Sequence, residues 1–171
     1  PVTPVADVMT TLSVTPNGTP GSVISGTVTF SNNGPSAAQN VTGTIVLPGG
    51  ATQTVVIGSL NSGASTVTAV SYTVPAGSTT VQTWTAGVAT TTPESTTANN
   101  TVTAVTTVTA LADVSVTLAT PATAVPGTTI QLTLSFANLG PSAAQSVTGT
   151  LSLQGGNSTV VYAVAGLPAG S

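Results

Sequence analysis

Residues 22–39 read SVISGTVTFSNNGPSAAQ, and residues 128–145 read TTIQLTLSFANLGPSAAQ. In the first stretch Ile24, Gly26, Val28 and Phe30 fall on one side, with Ser25, Thr27 and Thr29 on the other. In the second, Ile130, Leu132, Leu134 and Phe136 alternate with Gln131, Thr133 and Ser135. A period of two is the signature of a strand with one buried face. Both strands then stop at Gly-Pro, at Gly34-Pro35 and Gly140-Pro141. A glycine there is expected to supply a positive φ, with the proline presetting the next turn residue. A phosphate-cradling loop would need a helix and a lysine after the glycine. The chain contains no lysine.

Working outward, residues 6–50 align with 112–156 without a gap, at a constant offset of 106 residues and with 24 identities in 45 positions. A period near 100 is one small domain, not a solenoid unit of 20–50 residues. The division that follows is 1–5 as the end of a preceding repeat or a linker, 6–110 as the first repeat, and 111–171 as the first four strands of a second. Strands are expected near 7–14, 22–31, 39–47, 52–58, 65–74, 80–90 and 100–109, separated by Gly, Pro and Asn. Val41, Ile45 and Leu47 share a face in the third, and Trp84, Ala86 and Val88 in the sixth. Thr supplies 37 residues and Val 25, over a third of the chain, and both are β-branched strand formers. The fold class read from this pattern is all-β: tandem immunoglobulin-like antiparallel β-sandwiches, the second one incomplete. Phe30, Ile45, Leu47 and Trp84 are expected in the first core. The apolar faces of the second repeat call for strands from a continuation of the chain or from an adjacent subunit. The link at 109–112 is short enough to imply a semi-rigid rod.

Composition excludes several function classes. There is no Lys, Arg, His or Cys, and the only charges are Asp7, Glu94 and Asp113. Nucleic-acid binding needs cations against phosphate, and so does attraction to anionic lipid. The mean hydropathy of +0.46 comes from Val and Ala interleaved with Thr and Ser. No run approaches the ~18 apolar residues of a spanning helix, so no membrane insertion is expected.

No catalytic, cofactor-binding or metal-binding residue is assigned, and no cofactor is expected. The hydroxyls have no His or Lys to activate them. Asp7 and Asp113 are equivalent positions one domain apart, too far for paired-carboxylate chemistry. Each is expected to open a strand and cap a local turn; the alternative is a calcium site joining Asp113, Glu94 and backbone carbonyls. Trp84 is read as a core residue rather than a sugar platform, because it is in phase with Ala86 and Val88. Four N-glycosylation sequons begin at Asn17, Asn40, Asn99 and Asn157, and the Thr-rich stretch 90–97 is open to O-glycosylation.

The segments Ala6-Asp7-Val8, Pro20-Gly21 and Asn32-Asn33-Gly34-Pro35-Ser36-Ala37-Ala38, with Asn99-Asn100 before the last strand, carry a resemblance. They resemble a bacterial surface repeat, the family called domain of unknown function eleven, a relative of the cell-adhesion-related bacterial (CARDB) domains. The resemblance implies an Ig-like sandwich in long tandem arrays on secreted or cell-surface proteins, without catalytic residues. The chain departs from that family in lacking its scattered Lys and other charges. The expected function is a non-catalytic extracellular rod, stalk or filament that associates with its own neighbours. An adhesin module, with glycans as partners, and a spacer in a secreted enzyme are the alternatives.

Overall fold

The computed structural model describes residues 3–153 and 159–171. Within them the chain forms two compact units.

The first unit carries β1 (Val8–Val14), β2 (Asn17–Gly18), β3 (Val23–Asn32), β4 (Ala38–Val46), β5 (Thr52–Leu60), β6 (Ser65–Thr73), β7 (Gln82–Ala89) and β8 (Thr101–Val108). They make two sheets, ordered β1-β3-β6 and β2-β8-β7-β4-β5. The β2–β8 pairing is parallel and the others are antiparallel. All seven strands expected from the sequence are present, with ends displaced by at most two residues. The two-residue β2 was not foreseen, because two residues cannot display a period.

The period of two does what it implies. Ile24, Val28 and Phe30 of β3, Val41 and Ile45 of β4, and Trp84 and Ala86 of β7 point between the sheets and are buried, and Leu47, just after β4, is buried in the same core. Each large side chain taken from water contributes roughly 1.5–3 kcal/mol before chain entropy is counted. The Trp84 ring meets Tyr72 edge-on, with centroids 6.4 Å apart and planes at 80°. Phe30 packs directly over Gly43, where any Cβ would overlap the ring, and Phe136 stands in the same way over Gly149.

The register between β4 and β5 slips between Ala38 and Thr42. Asn40 absorbs that bulge with a φ of 51°, and Ser146, its counterpart 106 residues on, has a φ of 53°. Asn is among the non-glycine residues that tolerate this region best.

The second unit holds β9 (Val114–Ala119), β10 (Thr133–Asn138), β11 (Ala144–Ser152) and β12 (Thr159–Leu167). β9 pairs antiparallel with β10, and β11 with β12. Its inward positions repeat those of the first unit, but their burial does not. Val8 and Ile24 are 0% and 1% exposed, whereas the equivalent Val114 and Ile130 are 45% and 52% exposed. In the first unit β6, β7 and β8 complete the sandwich over these positions; the described residues of the second unit contain no counterpart of those strands.

Candidate functional site: a clamp on the entering strand

β3 alternates inward through Ile24, Val28 and Phe30, and the next inward position is Asn32. A polar side chain there must find partners inside the protein. Asn32 is fully buried and uses all of its bonding capacity. Its Oδ1 accepts the Asp7 N–H at 3.2 Å and the Gly34 N–H at 3.0 Å. Its Nδ2 donates to Ser36 O at 2.8 Å and Leu60 O at 2.9 Å. Ser36 completes the grip: its Oγ accepts the Val5 N–H at 3.1 Å, and its own N–H donates to Val5 O at 3.1 Å. The Asn33 N–H donates to Asp7 O at 2.8 Å. The motif between β3 and β4 therefore holds the backbone of residues 5–7, just before β1.

The second unit contains the same device. Asn138 Oδ1 accepts the N–H groups of Asp113 and Gly140 at 3.0 and 3.1 Å, and Ser142 exchanges two bonds of 2.9 Å with Leu111. Asn138 Nδ2 donates to Ser142 O at 2.7 Å and also reaches Leu167 O and Pro168 O.

This geometry corrects the turn reading of Gly34 and Gly140. Neither has a positive φ. Each is glycine because the entering backbone lies against it: a Cβ on Gly34 would overlap Ala6 and Asp7, and one on Gly140 would overlap Ala112 and Asp113. Asn32 had a signal that went unread. It is a polar residue in phase with an apolar face, identical in both repeats.

The opposite side of the first unit's entering strand is held by residues 93–100. Ala6 donates to Pro93 O at 2.8 Å and accepts from the Ser95 N–H at 2.9 Å, as a parallel bridge between Ala6 and Glu94. Glu94 Oε2 accepts the Val8 N–H at 3.1 Å, and its Oε1 accepts Asn100 Nδ2 at 3.0 Å. Asn99 Nδ2 donates to Asp7 Oδ1 at 2.9 Å. Further along, Thr10 donates its N–H to Asn99 O at 3.1 Å and its hydroxyl to Asn100 O at 2.9 Å. The amide oxygens of Asn99 and Asn100 are buried without a hydrogen-bond partner. Each such atom costs roughly 1–3 kcal/mol, which the carboxylate-bound nitrogens of the same side chains offset, charge-assisted bonds being about twice as strong as neutral ones.

One further expectation changes. Asp7 does not cap a local turn; its carboxylate reaches Asn99, 92 residues away in sequence. Glu94 has both oxygens engaged within the first unit, by the Val8 N–H and the Asn100 Nδ2. Among the described residues, no three His, Cys, Asp or Glu side chains come together.

Trp84 is fully buried, and its Nε1 donates to Thr106 Oγ1 at 3.2 Å, whose hydroxyl donates to Thr15 O at 2.6 Å. In the Thr-rich stretch, Thr90 and Thr91 donate to Gln39 O at 2.7 and 3.2 Å, while Thr92 Oγ1 accepts the Gln39 N–H at 2.9 Å. These hydroxyls hold the bulge of β4. Among the sequons, Asn17 is exposed in β2, Asn40 Nδ2 donates to Thr91 Oγ1 at 3.0 Å, and Asn99 is bound to Asp7. Asn157 lies outside the described residues. A shallow depression of about 560 Å³ beside the clamp is lined by Pro4, Ser36, Ala37, Gln39, Thr91 and Pro93, among others.

The family model for CARDB matches residues 5–104, from the clamped backbone into β8. No curated protein matches the chain. Two similar solved structures come from Pyrococcus furiosus. The solution NMR structure of the CARDB domain of PF1109 is 17% identical, with a TM-score of 0.55 over 61% of this chain and 96% of that one. The crystal structure of the PF1109 CARDB domain in complex with di-metal ions is 18% identical, with a TM-score of 0.53 over 64% of this chain and 94% of that one. At these identities the likeness is one of fold.

Proposed function

The chain belongs to the CARDB family, and from that premise we propose that its Ig-like sandwich is a non-catalytic structural module of an extracellular, cell-surface rod, stalk or filament. One observation carries this reading. The fully buried amides Asn32 and Asn138 anchor the entering strand, the second recurring 106 residues after the first with the same residue types. A protein under tension needs its ends secured, and the Ser36 and Ser142 hydroxyls are bound to backbone N–H groups of the entering strand. The outward positions of β3 and β6 are Ser, Thr, Val and Ala without any charge. A surface with so little charge gives weak colloidal repulsion, which suits self-association of neighbouring repeats or subunits.

Immunogold labelling of intact source cells, with electron microscopy of the released material, tests the reading. Label on surface rods or filaments is the expected outcome, and label confined to the cytoplasm would overturn it. The alternative, an adhesin module, draws on the depression beside Gln39. Glycan-array binding that disappears in Gln39→Ala would favour it.

A further inference from the structure

The start of the first unit meets the end of that unit side by side, in the same direction, twice. Ala6 bridges Glu94 in parallel, and β2 pairs in parallel with β8, Asn17 with Thr107 and Gly18 with Val108. At the first contact lie the two backbone bonds of Ala6, the Glu94 bond to Val8 and the Asn99 bond to Asp7. At the second, Pro16 O accepts the Thr107 N–H at 2.9 Å and Gly18 O accepts the Thr109 N–H at 3.0 Å. The Thr106 hydroxyl adds its bond to Thr15 O.

Direction decides how such contacts fail. Tension on the ends of the unit draws β1 backward along its axis and β8 forward along its own. Where the partners run parallel, these pulls oppose each other lengthwise. The bonds of a parallel pair are evenly spaced and slant across between the strands, so they are loaded together in shear. A hairpin pulled from its open ends loses its bonds one at a time.

We propose that these two parallel contacts are a tension lock, in which load entering before Ala6 passes through Glu94 and Asn99 and through β2 into β8, leaving the hydrophobic core unloaded. The proposal deepens the structural reading above and rests on it. Glu94 has a defined part. At the Ala6–Glu94 bridge its side chain takes the Val8 N–H, and its second oxygen ties the same point to Asn100.

The test is constant-force unfolding of the whole chain between marker domains, held through terminal cysteines, which are unique because the chain has none of its own. Glu94→Gln places an amide donor against the Val8 N–H or the Asn100 side-chain Nδ2. The unfolding rate of the first unit under force is expected to rise about tenfold or more, the worth of one charge-assisted bond. Asn99→Ala is the second variant. Leu47→Ala, which opens a cavity in the buried core, is the control. It should lower the urea midpoint at least as much as either lock variant, yet accelerate forced unfolding less. A larger acceleration in Glu94→Gln or Asn99→Ala than in Leu47→Ala supports the lock; any other ranking overturns it. A cytoplasmic location would defeat the extracellular reading without touching this result, and a failed ranking would defeat the lock alone.

Discussion

Asn32 holds Asp7 by its backbone: the buried amide oxygen of one accepts the N–H of the other at 3.2 Å, across 25 residues of sequence. The contact sets what the strand before β1 can do, and it recurs between Asn138 and Asp113 at 3.0 Å.

Replacing Asn32 by Ala removes four hydrogen bonds at once. The N–H groups of Asp7 and Gly34 lose their acceptor, and each buried unsatisfied group costs roughly 1–3 kcal/mol. Asn32→Ala should therefore destabilise the first unit by about 3 kcal/mol or more. Urea unfolding followed by the fluorescence of Trp84, the single tryptophan, measures it. A loss below about 1 kcal/mol would mean that the clamp is ornamental.

Thr106 stands between the Trp84 indole and the Thr15 carbonyl. Thr106→Val keeps the shape and removes the hydroxyl, stranding a donor and an acceptor. The expected cost is roughly 1–3 kcal/mol, while Thr106→Ser should retain most of the stability. Equal behaviour of the two variants in the same urea experiment would contradict the relay.

Gly43→Ala forces a methyl group into the Phe30 ring. Overpacking of this kind costs about 1–3 kcal/mol. Phe30→Leu in the same chain should return part of that cost, so a double-mutant cycle should show coupling. Strictly additive effects would place the two residues out of contact.

Glu94 is the single glutamate, and a glutamate-specific protease has one place to cut. In the folded protein the carboxylate is bound to Val8 and Asn100, so cleavage requires local opening. The native chain should resist digestion, and Asn99→Ala should be cut markedly faster at the same site by mass spectrometry.

With no cationic side chain, the sequence offers no salt bridge for ions to screen. The urea midpoint should shift little between about 0.05 and 0.5 M sodium chloride, a range over which surface ion pairs lose most of their effect.

The strands were legible because alternation is a local signal: Ile24, Val28 and Phe30 declare their face within seven residues. Burial of Trp84 followed from its phase with Ala86 and Val88 in the same way. The clamp was not legible as a clamp. Its contacts with the entering strand span 25 to 92 residues, and a side chain that bonds to backbone leaves no residue pattern at the far end. Gly34 shows the limit most clearly. A glycine before a proline reads as turn chemistry, while its true constraint is the close passage of Ala6 and Asp7, which no local window contains. β2 escaped for a different reason, since a parallel pairing of two residues is fixed by β8 and not by its own composition.

The clamp in each unit draws its grip on the entering backbone from residues of that same unit, Asn32 and Ser36 in one and Asn138 and Ser142 in the other. A stretch of gene encoding one unit thus carries its own fastening wherever it is inserted. Duplication can lengthen such a protein, and unequal recombination can shorten it, without any compensating change in the neighbouring copies. Length becomes a trait that selection can tune by copy number alone.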